Sequence, residues 1–578
     1  MATEARPSTL AVFAEWIAEQ YGGRPALRLP GGGGDVSYEE LRDRVRLVGR
    51  GLLGLGVRAG DRVAVLCETR AEWTYAHLAV LATGAALVPV YPSAGDDEVR
   101  WVLGDSGASV VLCEDDAQAA KAERLGGGGT VVVMTPSAAG RPLMTELPDP
   151  APLPELLARG RAVRPGDLAT IIYTSGTTGL SKGCRLTHGN STAIRDATAG
   201  FAQSGPGDVT YIYLPLAHLL AQLTELSTLL NGAALAFWGG RIEDIVGELG
   251  RVRPTHLPSV PRLFERVHAQ VAALAEAAGP DGRERFEAAV RLGAEVDALR
   301  AAGREPTAAQ TAAYEQADAG LYALVRGVFG GRLRQANVGG APIAPQTLDF
   351  MRACGIPVYE GYGMTESAGI IALNHPGAHR YGTVGRPIPG CEVRIAGDGE
   401  VLARGPMVFG GYHANPGATS AALDDEGWLH TGDLGELDTD GYLRVTGRKK
   451  DIIITSSGKN LTPSLTEFAL QQSRWISRAV MIGDHRPYPV ALITLDAEEI
   501  AGLGIDGPPS ESAKARSLVR EAVDAVNANA SGPARIRAFA ILDEDFSVAG
   551  ETLTPTLKIR RAAIAERYAK EIADLYGA

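Results

Sequence analysis

Between residues 62 and 114 the chain alternates short apolar runs with helical stretches, and that rhythm constrains the fold more than any other feature. RVAVLC (62–67), ALVPVY (86–91) and SVVLCE (109–114) read as strands. AEWTYAHLAVLATG (71–84) and DEVRWVLGDSG (97–107) between them read as helices. A strand–helix–strand repeat implies a parallel sheet with helices on its faces, since parallel neighbours need a crossover between them. The glycine runs at 31–34 and 126–129 lack GxGxxG spacing, so they read as surface turns and not as a nucleotide fingerprint.

The rest of the chain changes character in stages. A Pro-rich stretch, LPDPAPLPELL (147–157), bridges to the strand DLATIIYT. From about 264 to 330 Ala, Glu, Arg and Leu dominate with few turn residues, which predicts a surface helical insertion. Closely spaced turn signals between 381 and 448, with short runs such as CEVRIAG and GEVLARG, predict a small antiparallel subdomain. Beyond about 450 the pattern is mixed: RAVMIGD and PVALITLD as strands, AKARSLVREAVDAVNAN as a helix, and AAIAERYAKEIADLYG as a single closing helix. The expected class is α/β. A large N-terminal domain (1–448) of packed mixed sheets and helices would carry the antiparallel subdomain and the 264–330 insertion, followed by a small α+β C-terminal domain (449–578). No internal repeat is visible.

Composition removes several function classes. Hydrophobic residues are 45% and charged residues 21%, so the chain is globular and not disordered. Lys plus Arg number 56 against 68 Asp plus Glu, a net charge of -12, which argues against a protein that coats nucleic acid. Cys67, Cys113, Cys184, Cys354 and Cys391 are scattered, odd in number and form no CxxC pair, as expected of reduced thiols in a cytoplasmic protein. The N-terminus lacks the basic start and apolar run of a signal peptide, and the longest apolar stretch, 76–90, is too short to span a bilayer. Peripheral contact with a membrane surface stays open.

The richest chemistry lies in YTSGTTGLSKG at 173–183. Thr174, Ser175, Thr177 and Thr178 supply hydroxyls, Gly176 and Gly179 permit turns with inward N–H groups, and Lys182 brings positive charge. Together they can cradle a polyphosphate. The spacing GxxxxGK[ST] does not fit, so this is not a Walker A loop. GDSG (104–107) looks like a serine-protease nucleophile but sits inside the βαβ pattern. His375 and His379 are four apart, yet Pro376 and Gly377 exclude a helical zinc pair.

The 173–183 loop resembles the signature of the adenylate-forming superfamily of acyl-CoA synthetases, amino-acid-activating domains and luciferases. Six further segments resemble that superfamily's motifs in order: LPLAH (214–218), GGAPI (339–343), YEGYGMTES (359–367), WLHTGDLG (428–435), LRVTGRKKD (443–451) and LTPTLK (553–558). The resemblance implies ATP contacts from Thr174, Ser175, Gly176, Thr177, Thr178, Gly179 and Lys182. It implies a nucleotide wall of Gly339, Gly340, Ala341, Pro342, Glu360, Gly361, Tyr362 and Gly363, with the Tyr362 ring against adenine. Glu366 would hold Mg²⁺, a hard cation suited to oxygen ligands, with Thr174 at the metal-bound phosphate. Thr365 would bond phosphate, while Asp433 and Arg448 would bind the ribose. His218 would stand beside the acyl entrance, and Lys558 would bridge carboxylate and α-phosphate as charge builds. Lys450 would be the pivot of a mobile C-terminal domain. Ser181 stands where a proline is common, and a serine can keep that turn.

Within the superfamily the chain most resembles bacterial long-chain fatty-acid–CoA ligases, through the helical insertion, RLRQANVGGAPI, SSGKNLTPS and PYPVALITLD. The absence of a carrier domain after the Lys558 segment favours a free-standing ligase over a modular synthetase. The implied partners are a small carboxylic acid, ATP and coenzyme A, with no nucleic acid; oligomeric state is not indicated. Alternatives are an aryl or medium-chain acid, an unusual oxyanion such as nitrite with a nucleophile other than CoA, or a silent nucleotide-binding protein.

Overall fold

A computed structural model describes residues 5–126, 128–174, 180–456, 458–503, 507–547, 550–554 and 558–577. The 62–114 alternation forms three parallel strands, Arg62–Leu66, Ala86–Val90 and Val110–Cys113. They belong to a six-stranded sheet in the order Thr130–Val133, Val110–Cys113, Arg62–Leu66, Ala86–Val90, Leu168–Thr174, Lys182–Thr187, the last antiparallel. Successive strand residues face opposite sides. Val63, Val65, Val110 and Leu112 enter one core, and Ala64, Leu66, Val111 and Cys113 another. Two covered faces explain why every position of these strands except Arg62 is apolar.

A second sheet has the order Arg386–Pro387, Ala372–Leu373, Val358–Tyr362, Gln335–Val338, His256–Ser259, Val209–Ile212, Ala234–Phe237, Pro25–Arg28, Asp35–Ser37, with its central strands parallel. The helix Ala71–Ala82 lies between the sheets, packed against Val63 and Val65 of one and Ile212 and Leu235 of the other. Burial on all sides accounts for its lack of a polar face. Its His77 Nδ1 lies 2.7 Å from Oε2 of the buried Glu225.

Helices Pro261–Ala277, Pro280–Ala301, Ala308–Ala317 and Ala323–Val328 lie outside this second sheet. The helix Pro280–Ala301 docks on Pro345–Ala353 through Gly293, where an added Cβ would stand 2.5 Å from Ala353 Cβ. An antiparallel sheet of Glu392–Ile395, Glu400–Arg404, Leu429–Leu437 and Leu443–Arg448 follows. In the C-terminal part Ile476–Ile482, Val490–Leu495 and Phe539–Leu542 form a mixed sheet. The helices Pro463–Leu470 and Ala513–Asn529 cover one face and the last helices the other.

One local expectation differs from the structure: the closing helix is broken at Tyr568 into Arg561–Arg567 and Ala569–Leu575. A strand the sequence did not announce, Lys182–Thr187, pairs antiparallel with Leu168–Thr174. GDSG lies at the end of the helix Asp96–Ser106, where Asp105 accepts from Tyr173 Oη (2.6 Å), and the His375 ring stacks on Phe201. Among the described residues no helix is long and apolar enough to cross a membrane.

Candidate active site

Two strands flank the phosphate-loop segment. Leu168–Thr174 and Lys182–Thr187 pair antiparallel with Thr174 opposite Lys182, so both side chains project on one face. Ser175, Gly176, Thr177, Thr178 and Gly179 lie outside the described residues. Thr174 and Lys182 line a cavity of about 650 Å³, and His218, Glu366 and Lys558 line the same space.

Two strand ends shape another side of the cavity. The chain leaves Gln335–Val338 through Gly339 and Gly340; a Cβ on Gly339 would lie 3.4 Å from Gly361 O, and Gly340 takes φ +81°. Both features suit glycine, which permits close approach and the left-handed region. Gly361, Tyr362 and Gly363 at the end of Val358–Tyr362 also line the cavity, as does Thr365. Ala341 and Pro342 are exposed on the loop beyond. Glu360 faces away from the cavity, taking a hydrogen bond from Gly382 N (3.3 Å), and burial pushes its carboxyl up to about 7.

Glu366 occupies a short helical turn anchored by Phe409 N–H to its carbonyl (2.8 Å). The residue is 8% exposed, and its carboxylate accepts from Tyr412 Oη at 2.7 Å. The Tyr412 ring also lies 5.2 Å from Lys182 Nζ. Tyr412 therefore links the acid and the lysine, and sequence reasoning missed it, because GGYHANP carries no motif of its own. Among the described residues no three His, Cys, Asp or Glu side chains cluster for a metal. One carboxylate beside a phosphate cradle nevertheless fits Mg²⁺, which commonly takes one or two carboxylates and completes its shell with phosphate and water.

Asp433 and Arg448 face each other across neighbouring strands, with Arg448 Nε 2.9 Å from Asp433 Oδ1. Tyr362 Oη donates to Asp433 Oδ2 at 2.7 Å, so the phenol is spent and its ring remains for the cavity. Burial and the Asp433 carboxylate push that phenol well above its ordinary pKa. Arg448 lines the cavity; Asp433 is buried just behind the wall.

The cationic side is crowded. Lys558 can be reached by solvent through the cavity, yet protein surrounds it closely, and this crowding followed by Arg448 lowers its pKa. Lys450 is lowered for the same two reasons, in that order. It sits in a short turn, Lys449–Asp451, directly after Leu443–Arg448, while Lys449 is tied to Asp398 and Glu400. His218 caps the helix Leu219–Leu230 by accepting from Leu220 N (3.2 Å). Burial, then the Lys558 charge, push it down to about 4, so it is neutral at pH 7. Away from these groups the cavity runs between Leu219, Leu223, Leu226, Ile194 and Phe201.

Thr174 and Lys182, the buried Glu366, a paired Asp–Arg and a cationic rim around one slot are the equipment of a nucleotide-dependent acid-activating enzyme. Residues 14–413 match the family described as AMP-binding enzyme, and 450–578 match the AMP-binding enzyme C-terminal domain. The chain belongs to this adenylate-forming family. It is 38% identical to the long-chain-fatty-acid–CoA ligase FadD15 of Mycobacterium bovis, covering 94% of this chain and 92% of the relative. It is 30% identical to the peroxisomal long chain acyl-CoA synthetase 7 of Arabidopsis thaliana, covering 94% and 81%. The fold is shared with the adenylation domain of a Mycobacterium chelonae carboxylate reductase (TM-score 0.75, 21% identity, 100% and 92% covered). It is shared too with Bacillus subtilis o-succinylbenzoate CoA synthetase (TM-score 0.69, 22% identity, 96% and 97% covered).

Proposed function

We propose that this protein is an ATP-dependent ligase that joins a long-chain carboxylic acid to coenzyme A through an acyl-adenylate. The observation that carries the reading is the single cavity in which the phosphate-side groups Lys182, Glu366 and Lys558 meet an apolar slot lined by Leu219, Leu223 and Leu226. Burying each methylene of an acyl chain there contributes about 0.8 kcal/mol.

In the first step a carboxylate oxygen attacks the α-phosphorus and the bond to pyrophosphate breaks. Lys182 and Thr174 hold the phosphates, and the Asp433–Arg448 pair holds the ribose. Gly339, Gly340 and the Tyr362 ring receive the base. Lys558 stands where negative charge collects between carboxylate and α-phosphate, a preorganised stabilisation. Neutral His218, whose Nδ1 accepts from Leu220 N, has its Nε2–H free to donate beside the carboxylate. Mg²⁺, held by Glu366 near Thr174, would supply charge neutralisation for the leaving pyrophosphate. In the second step the CoA sulfur attacks the acyl carbonyl, the bond to AMP breaks, and the thiol proton leaves to solvent.

We place the division between the two domains at 448/449 and the pivot at Lys450. A turn that follows a strand end, with the preceding Lys449 anchored to the antiparallel sheet, supports this. Unpaired cysteines among the described residues support a cytoplasmic location. The test is product mass and kcat/KM with ATP, Mg²⁺, CoA and saturated acids of increasing length. A rise with length followed by a plateau is expected, and a maximum at acetate or at aromatic acids would refute the long-chain assignment.

A further inference from the structure

The far wall of the cavity is not apolar throughout. In the second sheet His256 is the register partner of Thr210 on one side and of Gln335 on the other. The three side chains therefore form one row across three parallel strands, and all three line the cavity. A buried parallel sheet ordinarily fills such a row with Val, Ile or Leu. Here Thr210, His256 and Gln335 are 4%, 7% and 3% exposed, facing a helix that presents Leu223 and Leu226.

The hydrogen bonds of the row are incomplete at one atom. His256 Nε2 donates to the Ala202 carbonyl (2.6 Å), which leaves Nδ1 to accept from the Thr255 hydroxyl (2.9 Å). Gln335 Nε2 donates to Asn337 Oδ1 (3.0 Å), but Gln335 Oε1 is buried without a partner. Gln335 lines the slot, and its buried, unpartnered amide oxygen awaits a donor that a rotation of the amide would bring within reach. Along the extended strand Gln335 lies four residues before Gly339, about 13 Å from the nucleotide end at roughly 3.3 Å per residue.

We propose that this row recognises a hydroxyl on the distal part of the acyl chain, so that hydroxylated long-chain acids are the preferred substrates. The inference rests on the ligase reading above and names its substrate class. A hydroxyl can donate to Gln335 Oε1, an oxo group cannot, and a plain chain leaves that oxygen unpaired. Discrimination of this kind is large when a site is built around a substrate hydroxyl.

The test uses the full-length enzyme with ATP, Mg²⁺ and CoA. Hexadecanoic acid is compared with isomers carrying one hydroxyl scanned along the chain and with the matching oxo acids. At one or two distal positions the hydroxy acid should exceed the plain acid by about tenfold or more in kcat/KM, and the oxo acid should not. In Gln335→Met that ratio should fall to about one, and Thr210→Val, which leaves the amide in place, provides a second variant that should lower it. Preference for the plain acid at every position, or an unchanged ratio in Gln335→Met, would overturn the inference while leaving the ligase reading standing. Failure of every acid to give an acyl-CoA would overturn the ligase reading and the inference together.

Discussion

Replacing Tyr412 by Phe removes one hydroxyl from the link between Glu366 and Lys182 and leaves the ring in place. The lost contact is the 2.7 Å hydrogen bond to Oε1 of the buried Glu366. Burial and the carboxylate itself push the phenol's pKa upward, so it is a donor at every working pH. A hydrogen bond to a charged group contributes about 1.5–3 kcal/mol, which corresponds to roughly 10- to 100-fold in any step that needs Glu366 held in place. The ring's contact with Lys182 at 5.2 Å survives in Phe and is lost in Ala.

Acid-dependent pyrophosphate release, measured over ATP and Mg²⁺ concentrations, reads this directly. Tyr412→Phe should raise the Mg²⁺ and ATP concentrations needed for half-maximal rate by about tenfold or more, with a smaller change in kcat. A global defect would not move the Mg²⁺ dependence selectively. Because the hydroxyl acts through Glu366, Tyr412→Phe on a Glu366→Gln background should cost little beyond Glu366→Gln alone. Wild-type Mg²⁺ dependence in Tyr412→Phe, or additive losses in the double variant, would refute the positioning role.

Three further outcomes follow from the same geometry. Lys558→Ala should slow acid-dependent pyrophosphate release by about 10²–10³ while thioester formation from supplied acyl-AMP falls far less, and equal losses would refute the step-specific role. Lys450→Pro, which locks φ and removes an N–H, should spare adenylate formation and block thioester formation in single-turnover assays; equal effects on both would count against the pivot. Burial holds His188, His218 and His268 down to about 4. As pH falls from about 6.5 to about 4 the unfolded chain takes up protons the native state refuses, so stability should drop by up to ~1.4 kcal/mol per pH unit per histidine. Denaturant midpoints that match at pH 7.5 and pH 5 would contradict that linkage.

The parallel core was legible because burial on both faces leaves no room for polar residues: Val63 and Val65 serve one core, Ala64 and Leu66 the other. The return strand Lys182–Thr187 was hidden by the opposite condition. KGCRLT is an edge strand whose outer side takes Gly411 and His413 from a distant loop, so its own residues need not alternate cleanly. The break in the closing helix at Tyr568 has no Pro or Gly to announce it. There the Tyr568 ring packs edge-on to Phe546, while Ile564 and Ile572 on either side stay buried, so tertiary packing sets the bend. Motif residues such as Glu366, Asp433 and Lys558 could be read because each motif holds its chemistry within a few positions. Tyr412 and the Thr210–His256–Gln335 row could not, since only register and loop docking bring them together.

The charges around the cavity relate the two half-reactions of the proposed chemistry. Lys558 is repelled by Arg448 and Lys450 and attracted by Asp433 and Glu366, and with crowding the balance lowers its pKa. Asp433 is already paired with Arg448, and Glu366 with Tyr412, so neither acid is free to neutralise the lysine fully. A triphosphate supplies the missing negative charge, which makes the orientation with Lys558 inside the cavity favourable when ATP is bound. Loss of pyrophosphate removes much of that charge and restores the repulsion between Lys558, Arg448 and Lys450. On the proposed chemistry, the cations that would stabilise charge in the first step would favour withdrawal of Lys558 before the second, with Lys450 both a member of the repelling set and the proposed pivot.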